Sequence, residues 1–190
     1  MSQQTISLGF KKLSKDNWKS PDPINEHFIK LNLYTGEKFS VSDDERAEEF
    51  LNVELSLEVP IDVHRQFEVA RGAMLYGCFF YPLFSLGADQ LMKVAESAVT
   101  HKCLIHGLTK KTARYEIKLQ KLRDYDYLTA NECADWENLR KLRNEFSHSK
   151  MQNIFPPFEA KFFLKNVADK INKLFQNPSA MKPSGLIKTI

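Results

Sequence analysis

Cysteine is scarce in this chain. Its three cysteines, Cys78, Cys103 and Cys133, are odd in number, widely spaced and form no C-x-x-C pair. That removes the disulfide-framework and zinc-ribbon readings and suits buried thiols in a reducing compartment. Glycine is also sparse, at seven in 190 residues, and no glycine cluster forms a phosphate-cradling loop. A G-x-S-x-G elbow is missing as well, which removes the commonest serine-hydrolase reading. Neither sign of charge dominates. The net charge of +3 permits contact with nucleic acid without demanding it. Met1-Ser2-Gln3-Gln4 has no charged region followed by an apolar run, so no signal peptide is read there and a cytoplasmic location is expected.

Long apolar runs are limited to one. Residues 72–88 (GAMLYGCFFYPLFSLGA) carry no charge and as a helix would extend about 25 Å, near the lower limit for crossing a bilayer. Three glycines, Pro82 and the hydroxyls of Tyr76, Tyr81 and Ser85 fit a buried central helix or an oligomer face better than lipid. No membrane span is expected. The 43% apolar and 27% charged fractions are those of a soluble globular chain, long enough for one sizeable core.

Three segments follow from the pattern: an N-terminal extension (1–59), a helical region (60–177) and a flexible tail (178–190). In the extension, Ile29 to Leu33 alternates apolar and polar and predicts a short strand, paired as a hairpin with Lys38 to Val41. Ser42-Asp43-Asp44-Glu45 is a capping box that starts a helix running to about Asn52. Leu55, Leu57 and Val59 alternate again and predict a second strand. From Pro60 the period becomes helical, with Val63, Phe67, Ala70, Met74 and Leu75 on one face. Pro82 must break that helix near Phe80-Tyr81. The next helix runs through Leu83, Leu86, Leu91, Val94 and Val99 towards His106, with Gly107 as its stop. Ile117, Leu119 and Leu122 predict a shorter helix that ends before Asp124. Thr129-Ala130-Asn131-Glu132 is a second capping box, with Leu128 packing on Cys133 as a staple. It opens a helix whose apolar stripe is Leu139, Leu142 and Phe146, with Trp136 at the margin and Arg143 beside it. Pro156-Pro157 opens a last helix with Phe163, Val167, Ile171 and Leu174 inward.

The densest chemistry lies in Arg143-Asn144-Glu145-Phe146-Ser147-His148. A guanidinium is always charged and fits two phosphate oxygens, while an imidazole gives and takes a proton near neutrality. An RNA phosphodiester brings its own nucleophile, the 2′-hydroxyl, so this pair suits its cleavage without metal. On a regular helix the two positions point about 140° apart. They converge only if the helix ends or distorts near Ser147, or if a second subunit completes the site. The bland reading makes both residues favourable cations near a helix C-terminus.

This run, within a Leu-x-x-Leu-Arg-Asn helix, resembles the R-x4-6-H motif of the HEPN superfamily. The resemblance implies an all-α bundle of four to five helices, here with an irregular N-terminal extension that contains short strands. It also implies a homodimer in which both motifs face one cleft, and an RNase of the toxin or defence kind needing no metal or cofactor. Carried over, Arg143 stabilises the scissile phosphate, His148 transfers protons or positions the phosphate, and Asn144 orients them. Arg140, Lys141, Ser147 and Lys150 are the candidate RNA contacts. An antitoxin or a nucleotidyltransferase is an expected partner. The alternatives are a helical dimerisation or interaction module without chemistry, and a nucleotide-binding bundle.

Other clusters carry weaker signals. His101-Lys102-Cys103-Leu104-Ile105-His106 offers a His-x-Cys-x-x-His spacing, but one helix spreads these groups around its axis and no fourth zinc ligand stands out. His101, Lys102 and Lys110 would then extend a basic RNA surface. Asp124 and Asp126 suit a polar turn better than a metal pair. Phe79 to Phe84 suits core packing or a dimer seam better than base stacking.

Overall fold

The computed structural model describes residues 8–27, 30–31, 34–39, 42–148 and 155–176, and for 143–148 it describes the course of the helix. The expected tail lies outside the described residues. Those residues form β1 (Lys30–Leu31), β2 (Lys38–Phe39), α1 (Asp43–Leu51), α2 (Ile61–Leu75), α3 (Pro82–Ile105), α4 (Tyr115–Asp124), α5 (Ala130–His148) and α6 (Pro157–Gln176). The architecture is all-α apart from the antiparallel β1–β2 pair, in which Lys30 faces Phe39 and Leu31 faces Lys38. No helix among the described residues is long and apolar enough to cross a membrane.

Local chemistry sets the helix ends. The Ser42 hydroxyl accepts the Glu45 amide at 3.1 Å and starts α1. At α5 the Thr129 hydroxyl accepts the Glu132 amide at 3.3 Å while the Glu132 carboxylate accepts the Thr129 amide at 2.8 Å, so each side chain satisfies a free donor. α3 ends on Gly107 at φ +63°. There Leu108 donates to the Cys103 carbonyl and Gly107 to that of Leu104, the paired bonds that close a helix through a left-handed residue. Asp126, at φ 59°, ends α4 in the same way, which makes Asp124-Tyr125-Asp126 a turn.

Helix α3 is the axis of the core and packs against α2, α4, α5 and α6. The α2 row Val63, Phe67, Ala70 and Met74 is buried against it, as the spacing predicts. The chain breaks at Tyr76–Cys78 and α3 restarts with Pro82 in its first turn, where a missing amide costs nothing. The apolar run 72–88 is thereby split, with Tyr81, Phe84 and Ala88 in the core and Tyr76 and Leu86 exposed. Gly87 lets the two helices approach. A Cβ there would lie 2.9 Å from the Ala70 carbonyl oxygen and 2.5 Å from Met74 Cγ. Gly87→Ala is therefore expected to destabilise the fold by about 2 kcal/mol, the crowding outweighing the roughly 1 kcal/mol gain in helix propensity. A lower urea midpoint would bear this out, and a raised one would refute the close approach.

Two expectations fail. Leu55 to Val59 is no strand: Leu55 and Val59 are buried and Leu57 is 97% exposed, in a loop whose backbone finds partners elsewhere. The Asn172 side chain on α6 accepts the Ser56 amide at 2.7 Å and donates to the Glu54 carbonyl at 3.1 Å. The second failure is the phase of α5. Trp136 and Leu139 form its core face, whereas Leu142 is 38% exposed. The Phe146 side chain lies outside the described residues.

Residues 8–27 brace the α2–α3 break. Asp22, fully buried, accepts the Tyr81 amide at 3.0 Å and the Lys11 amide at 3.2 Å, and its own amide donates to the Cys78 carbonyl at 2.8 Å. Asn25 donates to the same Cys78 carbonyl at 2.9 Å. Tyr81 stands at the start of α3 and its side chain makes no capping hydrogen bond to the helix, so Asp22 supplies from a distance the carboxylate cap that a helix start favours.

Candidate functional site

The R-x4-H run occupies the last turns of α5, which continues as helix through His148. Ser147 is thus within the helix, and the course of the chain after His148 lies outside the described residues. Register places the two positions about 140° apart on the helix. Arg143 is four residues after Leu139 and seven after Trp136, both of which are buried. His148 is seven residues after Lys141, which is exposed, and Asn144 lies one turn before it on nearly the same face. Ser147 lies in α5, and Lys150 lies outside the described residues.

One turn earlier, α5 meets α3 and α4 in a polar cluster that the sequence reading missed. The Arg140 guanidinium donates to Glu137 at 2.9 Å and reaches Glu116 of α4 at 3.3 Å, joining the two helices with its charge shared between two carboxylates. The Glu137 hydrogen bond holds its pKa above the usual arginine value. Beside it Tyr115 is partly buried. Its hydroxyl is pushed well above the usual tyrosine pKa by burial first, then by the charges of Glu137 and Glu96, with Arg140 opposing. The cluster thus presents a neutral phenol, a neutralised guanidinium and two carboxylates at the root of the motif segment. Nothing local in the sequence pointed to Glu116 or Tyr115.

Lys173 and Lys170 of α6 hold the outer face of α5, through Glu132 at 2.7 Å and Asp135 at 2.6 Å. The Lys173 contact, followed by the Thr129 amide, lowers Glu132 from 4.5 to about 2. A carboxylate depressed on folding stabilises fully above its unfolded value of about 4.5, and that contribution is lost as pH falls towards 2. Glu132→Gln is therefore expected to flatten the acid limb of thermal stability between those limits. An unchanged limb would show that the contact contributes nothing.

The other clusters resolve differently. Lys102 does not extend a basic surface: it is 3% exposed, with its ammonium 4.8 Å above the Tyr127 ring and 5.5 Å from that of Phe175, where cation–π attraction offsets part of its desolvation. Burial lowers its pKa. Cys103 is buried, and His106 stacks on Tyr127 at 4.5 Å, so the His-x-Cys-x-x-His groups diverge. Among the described residues no three His, Cys, Asp or Glu side chains are grouped to hold a metal ion. Comparison with known proteins finds no matching family model, no similar curated protein and no similar solved structure.

Proposed function

We propose that this chain is a HEPN-like, metal-independent endoribonuclease of the toxin or defence type, acting as a cytoplasmic homodimer. The observation that supports this most is the setting of the R-x4-H run. It ends a capped helix, α5, docked on the central helix of an all-α fold, just ahead of the segment that leads into α6. With α5 helical through His148, helix register sets the two positions about 140° apart, which supports a site completed by a second α5. The three cysteines are free thiols, consistent with a reducing compartment.

In this reading the His148 imidazole takes the proton of the RNA 2′-hydroxyl, the 2′-oxygen bonds to phosphorus, and the bond to the 5′-oxygen breaks. The departing oxygen receives a proton from an imidazolium, leaving a 2′,3′-cyclic phosphate and a 5′-hydroxyl. Arg143 stabilises the extra charge on the phosphoryl oxygens and Asn144 orients the pair. Lys141, Ser147 and Lys150 contact flanking phosphates. Arg140, bound to Glu137 and Glu116, fixes the motif segment against α4. An antitoxin or nucleotidyltransferase would silence the site by covering it. The test is cleavage of RNA in excess EDTA by wild type and by His148→Ala, with end-group analysis of the products.

A second reading, an interaction module without chemistry, is favoured by Phe158 and Phe162. They are 66% and 71% exposed on successive turns of α6, as in an apolar seam awaiting a partner. Intact RNA with both proteins would select it.

A further inference from the structure

A groove of about 580 Å³ lies between the first half of α2 and the start of α4, floored by α3. Its residues belong to neither the α5 motif nor the Arg140 cluster, apart from Glu96, which lines one wall and also raises Tyr115. Lys118 is at its base. That residue is 5% exposed, and its ammonium donates to the Thr100 hydroxyl at 2.9 Å. The hydroxyl itself donates to the Glu96 carbonyl at 2.9 Å. An ammonium has three protons to share, and one hydroxyl accepts one of them. No carboxylate stands within ion-pair distance of Lys118 among the described residues. A desolvated cation without a counter-charge is costly and marks a place where an anion is favoured.

The other charges of the groove sort cleanly. Arg65 is held by Asp62 at 3.2 Å and Lys93 by Asp89 at 2.9 Å, each on its own helix. Lys111, exposed, and His101, half-buried, line the same groove as Lys118, and its lining also includes the carboxylates of Asp62, which is paired with Arg65, and Glu96. Ser97 accepts from Gln66 at 3.2 Å and keeps its own proton to donate. Leu104, 38% exposed, adds an apolar wall.

We infer that this groove is a binding site for a phosphate monoester of nucleotide size, its phosphoryl group held by Lys118, Lys111 and His101 and its ring against Leu104. A phosphate dianion matches two ammonium groups and an imidazole. The volume exceeds that of the anion alone and falls in the range of small-ligand sites. The inference stands whether or not α5 cleaves RNA. Two sources share this chemistry: a free nucleoside monophosphate and the 5′-phosphorylated end of an RNA.

The test is amide NMR of the full chain titrated with adenosine 5′-monophosphate, inorganic phosphate and adenosine. Shifts at Thr100, His101 and Lys118 with the two phosphates and not with adenosine are expected. Lys111→Glu, an exposed change that leaves the fold intact, is expected to weaken binding at least about tenfold, and Lys118→Met to abolish it. Should Lys118→Met fail to fold, the Lys111→Glu titration decides. Matched 2′-O-methyl oligonucleotides, which cannot be cleaved through the 2′-oxygen, separate the sources. Preference for a 5′-phosphate over a 5′-hydroxyl assigns an RNA end, and equal binding assigns the free nucleotide. No groove shifts at saturating phosphate and nucleotide, or shifts indifferent to Lys111→Glu, would overturn the inference.

Discussion

Asp22→Ala is expected to destabilise the protein by about 3 to 5 kcal/mol, a drop in melting temperature of roughly 10 °C for a chain of this size. The carboxylate is fully buried, and alanine would leave the Tyr81 and Lys11 amides it accepts without partners. Each orphaned buried donor costs about 1 to 3 kcal/mol, and the helix start at Pro82 loses its only side-chain cap among the described residues. Asp22→Asn keeps one acceptor oxygen and should lose about half as much. Thermal unfolding of the three proteins measures this, and a drop below about 2 °C for alanine would mean that residues 8–27 do not brace the α2–α3 break.

His148→Ala is expected to lower RNA cleavage by about 100-fold to 10,000-fold, the usual worth of a positioned acid or base. Folding should be unaffected, because Trp136 and Leu139 dock α5 well before its last turns. Arg143→Ala is expected to lose a comparable factor through the phosphoryl charge. Arg143→Lys should recover only part of it, since an ammonium lacks the planar fork. In Arg140→Ala the change should appear first as lost stability, because that side chain joins Glu137 and Glu116.

Much of the helical frame was legible because its signals are local. The capping boxes at Ser42 and Thr129, the stop at Gly107, the break at Pro82 and the α2 row from Val63 to Met74 each depend on residues within a few positions of one another. What escaped depends on distant partners. Leu55 to Val59 alternates like a strand, yet its Ser56 amide is bonded by Asn172, more than a hundred residues away. Lys102 reads as a surface cation until Tyr127 and Phe175 close over it. On α5, Leu142 is as apolar as Leu139, and only packing across the bundle decides that Leu139 turns inward and Leu142 does not.

Of the candidate segment, the helix itself was legible. Arg143 and His148 could be set on one helix from the sequence, as could their divergence by about 140°. The junction with Glu116 and Tyr115 could not, because α4 contributes it across the bundle.

The central claim is that two copies of α5 complete one RNA-cleaving site, and the direct measurement mixes two inactive variants. Arg143→Ala and His148→Ala proteins are unfolded together, refolded and assayed on RNA in excess EDTA beside each variant alone. If each site takes Arg143 from one chain and His148 from its partner, half of the dimers are mixed and one of their two sites is whole, so about a quarter of wild-type activity returns. A mixture as silent as its components, beside an active wild type, would contradict the shared site.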